Sequence, residues 1–272
     1  MIKIEIIAIG NEVLQGDVQD TNTHWLSQQL TGLGGRVERA VIVRDDQTAI
    51  VAELKGAIAR QTRLILTTGG LGPTNDDLTL AAVAEMAGRP LQIHQQALAW
   101  VKNRYEALAQ AGAVDDAAMT PAREKMARLP QGAQPLANPV GAAPGVLLGL
   151  DGCQVVSLPG VPPELKGIFA GALQPTLKAL FGESTFLEKR LLVNCKDESV
   201  LAPLLEAVAA RHPEVYVKSR AKSFGPDVKF RVTLSTAGPS KPVVDQRLNE
   251  AQRDLAQALA AKTIAIEESE PG

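Results

Sequence analysis

Thr67-Thr68-Gly69-Gly70-Leu71-Gly72-Pro73-Thr74-Asn75-Asp76-Asp77-Leu78-Thr79 decides how the rest of the chain is read. It follows an apolar run, Leu64-Ile65-Leu66, and precedes Leu80-Ala81-Ala82-Val83-Ala84-Glu85-Met86. The run reads as a buried strand and the alanine-rich segment as a helix. A strand that ends in a glycine- and hydroxyl-rich loop and then enters a helix is a common phosphate cradle of α/β folds. Glycines at 69, 70 and 72 permit dihedrals that expose backbone N–H groups. Thr67, Thr68 and Thr74 add hydroxyl donors. Asp76 and Asp77 would repel a bare phosphate but suit one that carries a divalent metal ion. The pattern is neither GxGxxG nor a P-loop, because no Gly-Lys-Ser/Thr follows. Two readings stand: a phosphate or pyrophosphate site with a metal, extending to metal-assisted hydrolysis, or a glycine turn with an aspartate helix cap and no ligand.

Upstream of this loop the order repeats. Residues 2–9 form an unbroken β-branched run, as expected of a strand buried on both faces. Residues 10–22 read as a loop containing Asn11, Glu12 and Asp20, with Thr21 or Asn22 capping a helix over 24–33 that ends at Gly34-Gly35. A second strand is expected over 37–43, then Asp45 and Asp46, then a helix over 47–60 with apolar residues near helical spacing. The order β-α-β-α-β-loop-α implies a parallel sheet covered by helices. Ligands of such sheets sit at the carboxyl edge. Acids after three successive strands would gather there beside Asp77, although a single acid after a strand is usually a cap.

Downstream, helices are expected over 95–111 and 121–127, the second capped by Thr120. The small-residue and proline stretch at 136–148 allows a close backbone approach. A strand over 153–158 leads into Pro159-Gly160-Val161-Pro162-Pro163-Glu164 and a helix running to residue 180. Past residue 182 the pattern becomes strand, helix, strand, strand, long helix, which reads as a separate α+β domain; the expected division is 1–182 and 183–272. Its basic cluster, Lys218, Arg220, Lys222, Lys229 and Arg231, reads as a solvated sheet edge, with phosphate contact as the other option. The tail at 267–272 is acidic.

Composition bounds the function class. The 272 residues are 45% hydrophobic and 21% charged, with a net charge of −2. That balance gives no bulk attraction to nucleic acid or anionic membrane. Aromatics are only 3%, too few for base-stacking platforms. Two cysteines and three histidines, all scattered, make no zinc motif, and the cysteines read as buried hydrophobes. No signal peptide or membrane span is evident, so a cytoplasmic location is expected.

The glycine loop resembles the signature of the molybdopterin-binding, MogA/MoaB-like domain. Gly10-Asn11-Glu12, Gly16, Asp20-Thr21-Asn22, Asn138-Pro139-Val140-Gly141-Ala142-Ala143-Pro144-Gly145 and Leu158-Pro159-Gly160-Val161-Pro162-Pro163-Glu164 are similar to the branch formed by CinA, the competence/damage-inducible proteins. The resemblance covers roughly residues 2–180. Residues from about 184 to 262 resemble, by pattern and position, the KH-like domain that follows in CinA proteins. They lack the Gly-x-x-Gly loop that clamps nucleic acid, so no nucleic-acid binding is carried over. CinA proteins usually continue into a nicotinamide-nucleotide amidase domain, absent from this sequence, so deamidation is not carried over either.

The resemblance implies a three-layer α/β/α fold with a mostly parallel sheet, a small KH-like α+β domain and a homodimer. It further implies a metal-dependent pyrophosphatase that hydrolyses ADP-ribose or a related nucleoside diphosphate derivative to AMP and a sugar phosphate. The alternative is a non-catalytic molybdopterin- or nucleotide-binding protein. The roles expected on that basis are Asp77 and Asp45 as catalytic residues, with Glu12 and Asp76 joining them around a divalent metal ion. Thr68, Gly69, Gly70, Gly72 and Thr74 would hold phosphate. Asn138, Gly141 and Gly145 would line the pocket, and Pro159, Gly160 and Glu164 would form its wall. The partner expected is a small nucleotide or pterin ligand.

Overall fold

The computed structural model describes residues 2–182, 185–221 and 229–267. It divides into two compact units, one formed by the residues to Leu30 and from Gly35 to Leu180, the other by Thr31–Gly34 and the residues from Phe181 onward.

The first unit begins with β1 (Lys3–Ile9), α1 (Asn11–Gln15), α2 (Thr21–Gly32), β2 (Arg36–Val43), α3 (Gln47–Ala59), β3 (Leu64–Thr68) and α4 (Thr79–Ala87). A short antiparallel pair, β4 (Leu91–Ile93) with β5 (Arg128–Pro130), encloses α5 (Gln95–Gln110) and α6 (Pro121–Lys125). Then come β6 (Gln134–Leu136), β7 (Gly145–Leu150), β8 (Cys153–Leu158), α7 (Pro162–Ala170) and α8 (Gln174–Phe181). The main sheet has the order β2-β1-β3-β8-β7-β6. Its first four strands run parallel, and β7 and β6 are antiparallel to their neighbours. The sheet is therefore mostly parallel, in a mixed α/β architecture.

All five residues of β3, and every residue of β1 after Lys3, are buried. A strand buried on both faces needs cover on both, which is why its sequence does not alternate. On one face Ile7, Ile9 and Ile65 pack with Ile50, Leu54, Val83 and Val101 of α3, α4 and α5. On the other, Ile4, Ile6, Leu64 and Leu66 are buried, as are Leu26 and Leu30 of α2 and Leu165 and Ile168 of α7. Trp25 of α2 meets Phe169 of α7 edge-on at 5.1 Å between ring centroids.

Several elements differ from the sequence-based expectation. The loop at 10–22 contains α1, a five-residue helix. It closes at Gly16, whose φ of +81° suits a glycine C-cap. The cap of α2 is Asp20, whose Oδ1 accepts the Thr23 N–H at 2.9 Å, rather than Thr21 or Asn22. The close-approach stretch at 136–148 contains most of β7, a strand that Gly, Ala and Pro disguise. The helix expected to run to residue 180 breaks at Gly171 into α7 and α8.

One acid lies in the core. Glu5 of β1 is 2% exposed. It accepts from Arg60 Nε at 2.8 Å, Arg60 Nη2 at 2.7 Å and Thr62 Oγ1 at 2.6 Å. Burial pushes its carboxyl up, but the Arg60 and Thr62 hydrogen bonds and the arginine charge together outweigh burial and leave its pKa lowered. A depressed folded pKa contributes stability above the unfolded value near 4.5. That contribution is lost as pH falls through the folded value. Glu5→Gln is therefore expected to flatten the acid limb of stability. Urea midpoints measured between neutral pH and the acid limb check this; parallel profiles for the two proteins would refute it.

The second unit contains β9 (Thr185–Asn194), α9 (Glu198–Arg211), β10 (Tyr216–Ala221), β11 (Phe230–Gly238), α10 (Lys241–Ala260) and β12 (Ala265–Glu267). Its sheet is antiparallel, in the order β10-β11-β9-β12. Leu191, Val193, Val232 and Leu234 pack with Leu201, Leu205, Leu248 and Leu255 of its two helices. The short β12 has no counterpart in the sequence reading. Of the basic cluster, Lys218 and Arg220 lie on β10, Arg231 on β11, and Lys229 just before β11 pairs with Glu267 at 2.6 Å. Lys222, and the acidic tail beyond Glu267, lie outside the described residues.

Cys153 and Cys195 are free and buried, and burial pushes the Cys153 thiol up to about 11. Among the described residues no helix is long and apolar enough to cross a membrane.

Candidate functional site

The carboxyl ends of β1, β2, β3 and β8 meet at one edge of the main sheet. Ala8 pairs with Thr68, Thr68 with Leu158, and Ile9 with Val43. The chain turns there under tight constraint. Gly69 has φ +97° and lies against the Ile9 carbonyl, where any Cβ would overlap the oxygen. Its N–H donates to the Leu158 carbonyl at 3.0 Å, and its own carbonyl accepts from the buried Thr79 Oγ1 at 2.7 Å. Gly69 thus joins three strand ends and a helix start, and its N–H is already committed to the protein.

The next three residues differ. Gly70, Leu71 and Gly72 all line a cleft of about 610 Å³. Among the described residues their backbone N–H groups have no protein acceptor. Consecutive N–H groups presented to one space form an anion-binding concavity. The rest of the lining comes from the other strand ends and from beyond them: Glu12, Asp45, Pro159, Gly160 and Glu164, with Tyr105 and Met126 from α5 and the segment after α6. Arg123 stacks over the Tyr105 ring at 4.0 Å from its centroid and is itself bonded to Asp116 Oδ1 at 3.1 Å, which fixes that wall.

Among the described residues five carboxylates line the cleft, Glu12, Asp45, Asp76, Asp77 and Glu164, and no lysine or arginine does. Most already have structural work. Asp45 Oδ2 accepts the Asn11 N–H at 2.8 Å and so caps α1 from another strand end. Asp77 Oδ2 accepts from Thr74 N at 2.8 Å and Thr74 Oγ1 at 2.6 Å. Asp76 shares the same hydroxyl, and that hydrogen bond holds its pKa below the usual carboxylate value. Asp46, outside the lining, caps α3 through Ala49 N at 2.8 Å. Glycines make room for three of the five: a Cβ would stand 2.5 Å from Glu12 Oε1 at Gly10 and 2.7 Å from Asp77 Oδ2 at Gly72, and at Gly141 it would overlap Glu164. Gly72 and Gly141 therefore accommodate acids as much as they approach a ligand.

Asn138 fixes the far wall. Its Oδ1 accepts from Val140 N at 3.0 Å and Gly141 N at 2.9 Å. Its Nδ2 donates to Ala143 O at 2.8 Å and Glu164 Oε2 at 2.7 Å. All four hydrogen-bonding positions of the amide are filled. Behind this wall lies a second cavity of about 280 Å³, lined by Asn138 and Gly141 and sharing Ala142 with the cleft.

Of the sequence-based candidates, the cleft gathers Glu12, Asp45, Gly69, Gly70, Gly72, Asp76, Asp77, Pro159, Gly160 and Glu164. Thr68 is buried within β3, and Gly145 is buried at the start of β7, where a Cβ would meet Ile168 at 3.1 Å. Thr74 sits behind the acids that it binds. The sequence reading passed over Tyr105, Met126, Trp100 and Arg104. The signal was present in α5: Trp100, Asn103, Arg104 and Ala107 fall at i, i+3, i+4 and i+7, one helix face that is not a core stripe.

A family model described as "Probable molybdopterin binding domain" matches residues 5–179. The chain belongs to the molybdopterin-binding domain family. A relative from Pyrobaculum arsenaticum is 38% identical over 269 residues, 98% of this chain and 95% of its own length. One from Aeropyrum pernix is 40% identical over 266 residues, 97% of this chain and 93% of its own. The crystal structure of a CinA protein of unknown function from Thermoplasma acidophilum is 35% identical, covers 64% of this chain and 98% of its own, and superposes with a TM-score of 0.58.

This membership corrects the expected chemistry. A metal-dependent ADP-ribose pyrophosphatase needs a metal shell, and among the described residues no group of three or more His, Cys, Asp or Glu side chains is arranged to hold an ion. The acids after successive strands, which suggested such a shell, instead serve as a cap in Asp45 and a turn clamp in Asp77. The hydrolase expected from the sequence is thereby overturned, and the cleft is that of a molybdopterin-binding domain.

Proposed function

We propose that the chain is a non-catalytic binding protein for a molybdopterin-type or nucleotide ligand, seated in the cleft at the carboxyl edge of the main sheet. The observation that carries this reading is the run Gly70, Leu71 and Gly72, which lines the cleft and whose N–H groups have no protein acceptor among the described residues. A phosphate oxygen supplies the acceptors they lack. The carboxylates suit another part of the same ligand. Pterins and purines carry ring N–H and amino donors, and a carboxylate accepts two such donors side by side. Glu12, Asp45 and Glu164 reach the cleft from outside the glycine loop, while Asp76 and Asp77 stand within it, a lining that fits a molecule carrying both a phosphate and ring donors. Membership of the molybdopterin-binding domain family supports the same class.

The acids do not form a protein-only cage for a divalent cation, since Asp45 and Asp77 are engaged in backbone bonds. Magnesium-type ions are commonly held by one or two carboxylates together with ligand phosphates. A cation in this reading accompanies the phosphate rather than residing in the protein.

Calorimetric titration with molybdopterin tests the proposal. Saturable binding is expected, weakened by competing inorganic phosphate because both need the loop N–H groups. Absence of binding would overturn the reading. Binding indifferent to phosphate would remove the loop from it.

A further inference from the structure

The sheet of the second unit has one bare face, and β10 gives it a bare edge. Leu191, Val193, Val232 and Leu234 turn to α9 and α10. On β10 it is Val217 and Ser219 that turn that way, Val217 packing on the same core and Ser219 Oγ donating to Glu198 Oε1 of α9 at 2.9 Å. Strand alternation therefore puts Tyr216, Lys218 and Arg220 on the opposite face, and all three are exposed. The register sets Arg220 directly opposite Arg231, and Lys218 in one row with Thr233 and Arg190. Among the described residues neither Lys218 nor Arg220 has an ion-pair partner.

β10 is also the end strand of its sheet. Among the described residues its strand pairing is to β11 alone, and no other backbone bond reaches it. A free strand edge is a template for another extended chain, and one charged residue is often enough to discourage that. Here two unpaired cations stand at alternate positions, and one of them faces a second arginine across the strands, an arrangement that costs stability by itself. Alternate residues of a strand lie about 6.8 Å apart on one face. An extended peptide laid beside β10 has the same repeat. Its backbone fills the open edge while carboxylates at every second position come level with Lys218 and Arg220. A nucleic acid would leave the backbone edge unused. Its bases would need rings to stack on, and the strand next to Lys218 and Arg220 offers Thr233 and Arg231.

We propose that the β10 edge is a docking site for an acidic, extended segment of a partner protein, which adds as a further strand and sets alternate carboxylates against Lys218 and Arg220. The proposal concerns the second unit and does not depend on the ligand-binding reading of the cleft.

The test uses the full chain and an eight-residue peptide of alternating glutamate and threonine, followed by fluorescence anisotropy. Saturable binding is expected with a Kd below about 1 mM. Lys218→Glu combined with Arg220→Glu is expected to weaken it at least about tenfold, because attraction becomes repulsion. Lys218→Gln combined with Arg220→Gln should weaken it less, and serves if the charge reversal alters the circular dichroism. Two further forms of the peptide carry N-methyl groups, one on the glutamate amides and one on the threonine amides. In a strand these amides point to opposite sides, so one form is expected to lose at least about tenfold and the other to bind like the parent. No binding up to about 1 mM would overturn the proposal, as would binding that neither double variant changes. Equal affinity of the two methylated forms would overturn strand addition. Tighter binding of an eight-nucleotide oligothymidylate than of the peptide would overturn the choice of partner.

Discussion

Alanine at position 69 is expected to destabilise the first unit by about 3 kcal/mol or more and to abolish ligand binding in the cleft. Two independent costs combine. The residue has φ +97°, a conformation that costs an L side chain about 1–3 kcal/mol. The added methyl would also overlap the Ile9 carbonyl oxygen, a backbone atom of a fully buried strand end that cannot swing aside as a side chain can. Relief would require β1 and β3 to part, and with them the Gly69 N–H bond to Leu158 and the Thr79 hydroxyl bond to Gly69. Gly149→Ala is the control. Gly149 has no positive φ, and its nearest neighbour, Gln154 Oε1, lies 3.5 Å from the Cβ position. Its stability is expected to stay within about 0.5 kcal/mol of the parent. Both tryptophans lie in the first unit, so their fluorescence during urea unfolding reports that unit. A Gly69→Ala protein with the parent's urea midpoint and ligand affinity would show that the loop is not constrained as described.

Gly69 also marks what can be read from the sequence and what cannot. That β1, β3 and β8 are buried strands follows from β-branched runs too apolar for a half-exposed sheet, and the structure has all three. That a glycine loop joins β3 to α4 follows from composition. Which face of each glycine is crowded does not. Gly69 avoids a carbonyl, Gly72 an aspartate and Gly141 a glutamate, and these neighbours come from distant parts of the chain or from the far side of a turn. The acids show the same limit more sharply. An aspartate just after a strand looks alike in sequence whether it caps a helix or binds a ligand. Asp46 caps its own helix, a local relation that spacing can suggest. Asp45 caps α1, which lies 34 residues earlier, and no local pattern encodes that. The antiparallel strand β7 was hidden because Ala142, Ala143, Pro144 and Gly145 at its start read as loop residues, although a strand entering beneath α7 needs small side chains there; a Cβ on Gly145 would already stand 3.1 Å from Ile168.

Asn138→Asp is expected to cost about 3 kcal/mol at neutral pH, despite replacing one NH2 by an oxygen and nothing else. The two bonds accepted by Oδ1 from Val140 and Gly141 would survive. The two donated by Nδ2 would not. The Ala143 carbonyl would face an oxygen across 2.8 Å, and Glu164 Oε2 would face a carboxylate across 2.7 Å. Two carboxylates at that distance cannot both stay ionised without a large penalty, so the pair would retain a proton or the wall would open. The sign of the pH dependence follows. A shared proton raises the folded pKa of the pair above its unfolded value. The variant should therefore recover stability as pH falls through that raised pKa, a window in which the parent gains nothing from this site. The same substitution acts on both cavities, because Asn138 holds Glu164 towards the cleft and lines the second cavity. Molybdopterin binding should weaken at neutral pH and recover on mild acidification. Asn138→Ala separates charge from contact: it loses all four hydrogen bonds, including the two that the Asp variant keeps, but brings no repulsion, so its deficit should not shrink as pH falls. Equal pH profiles for the Asp and Ala variants would show that Glu164 is free to turn away, and that the wall is held by something other than this amide.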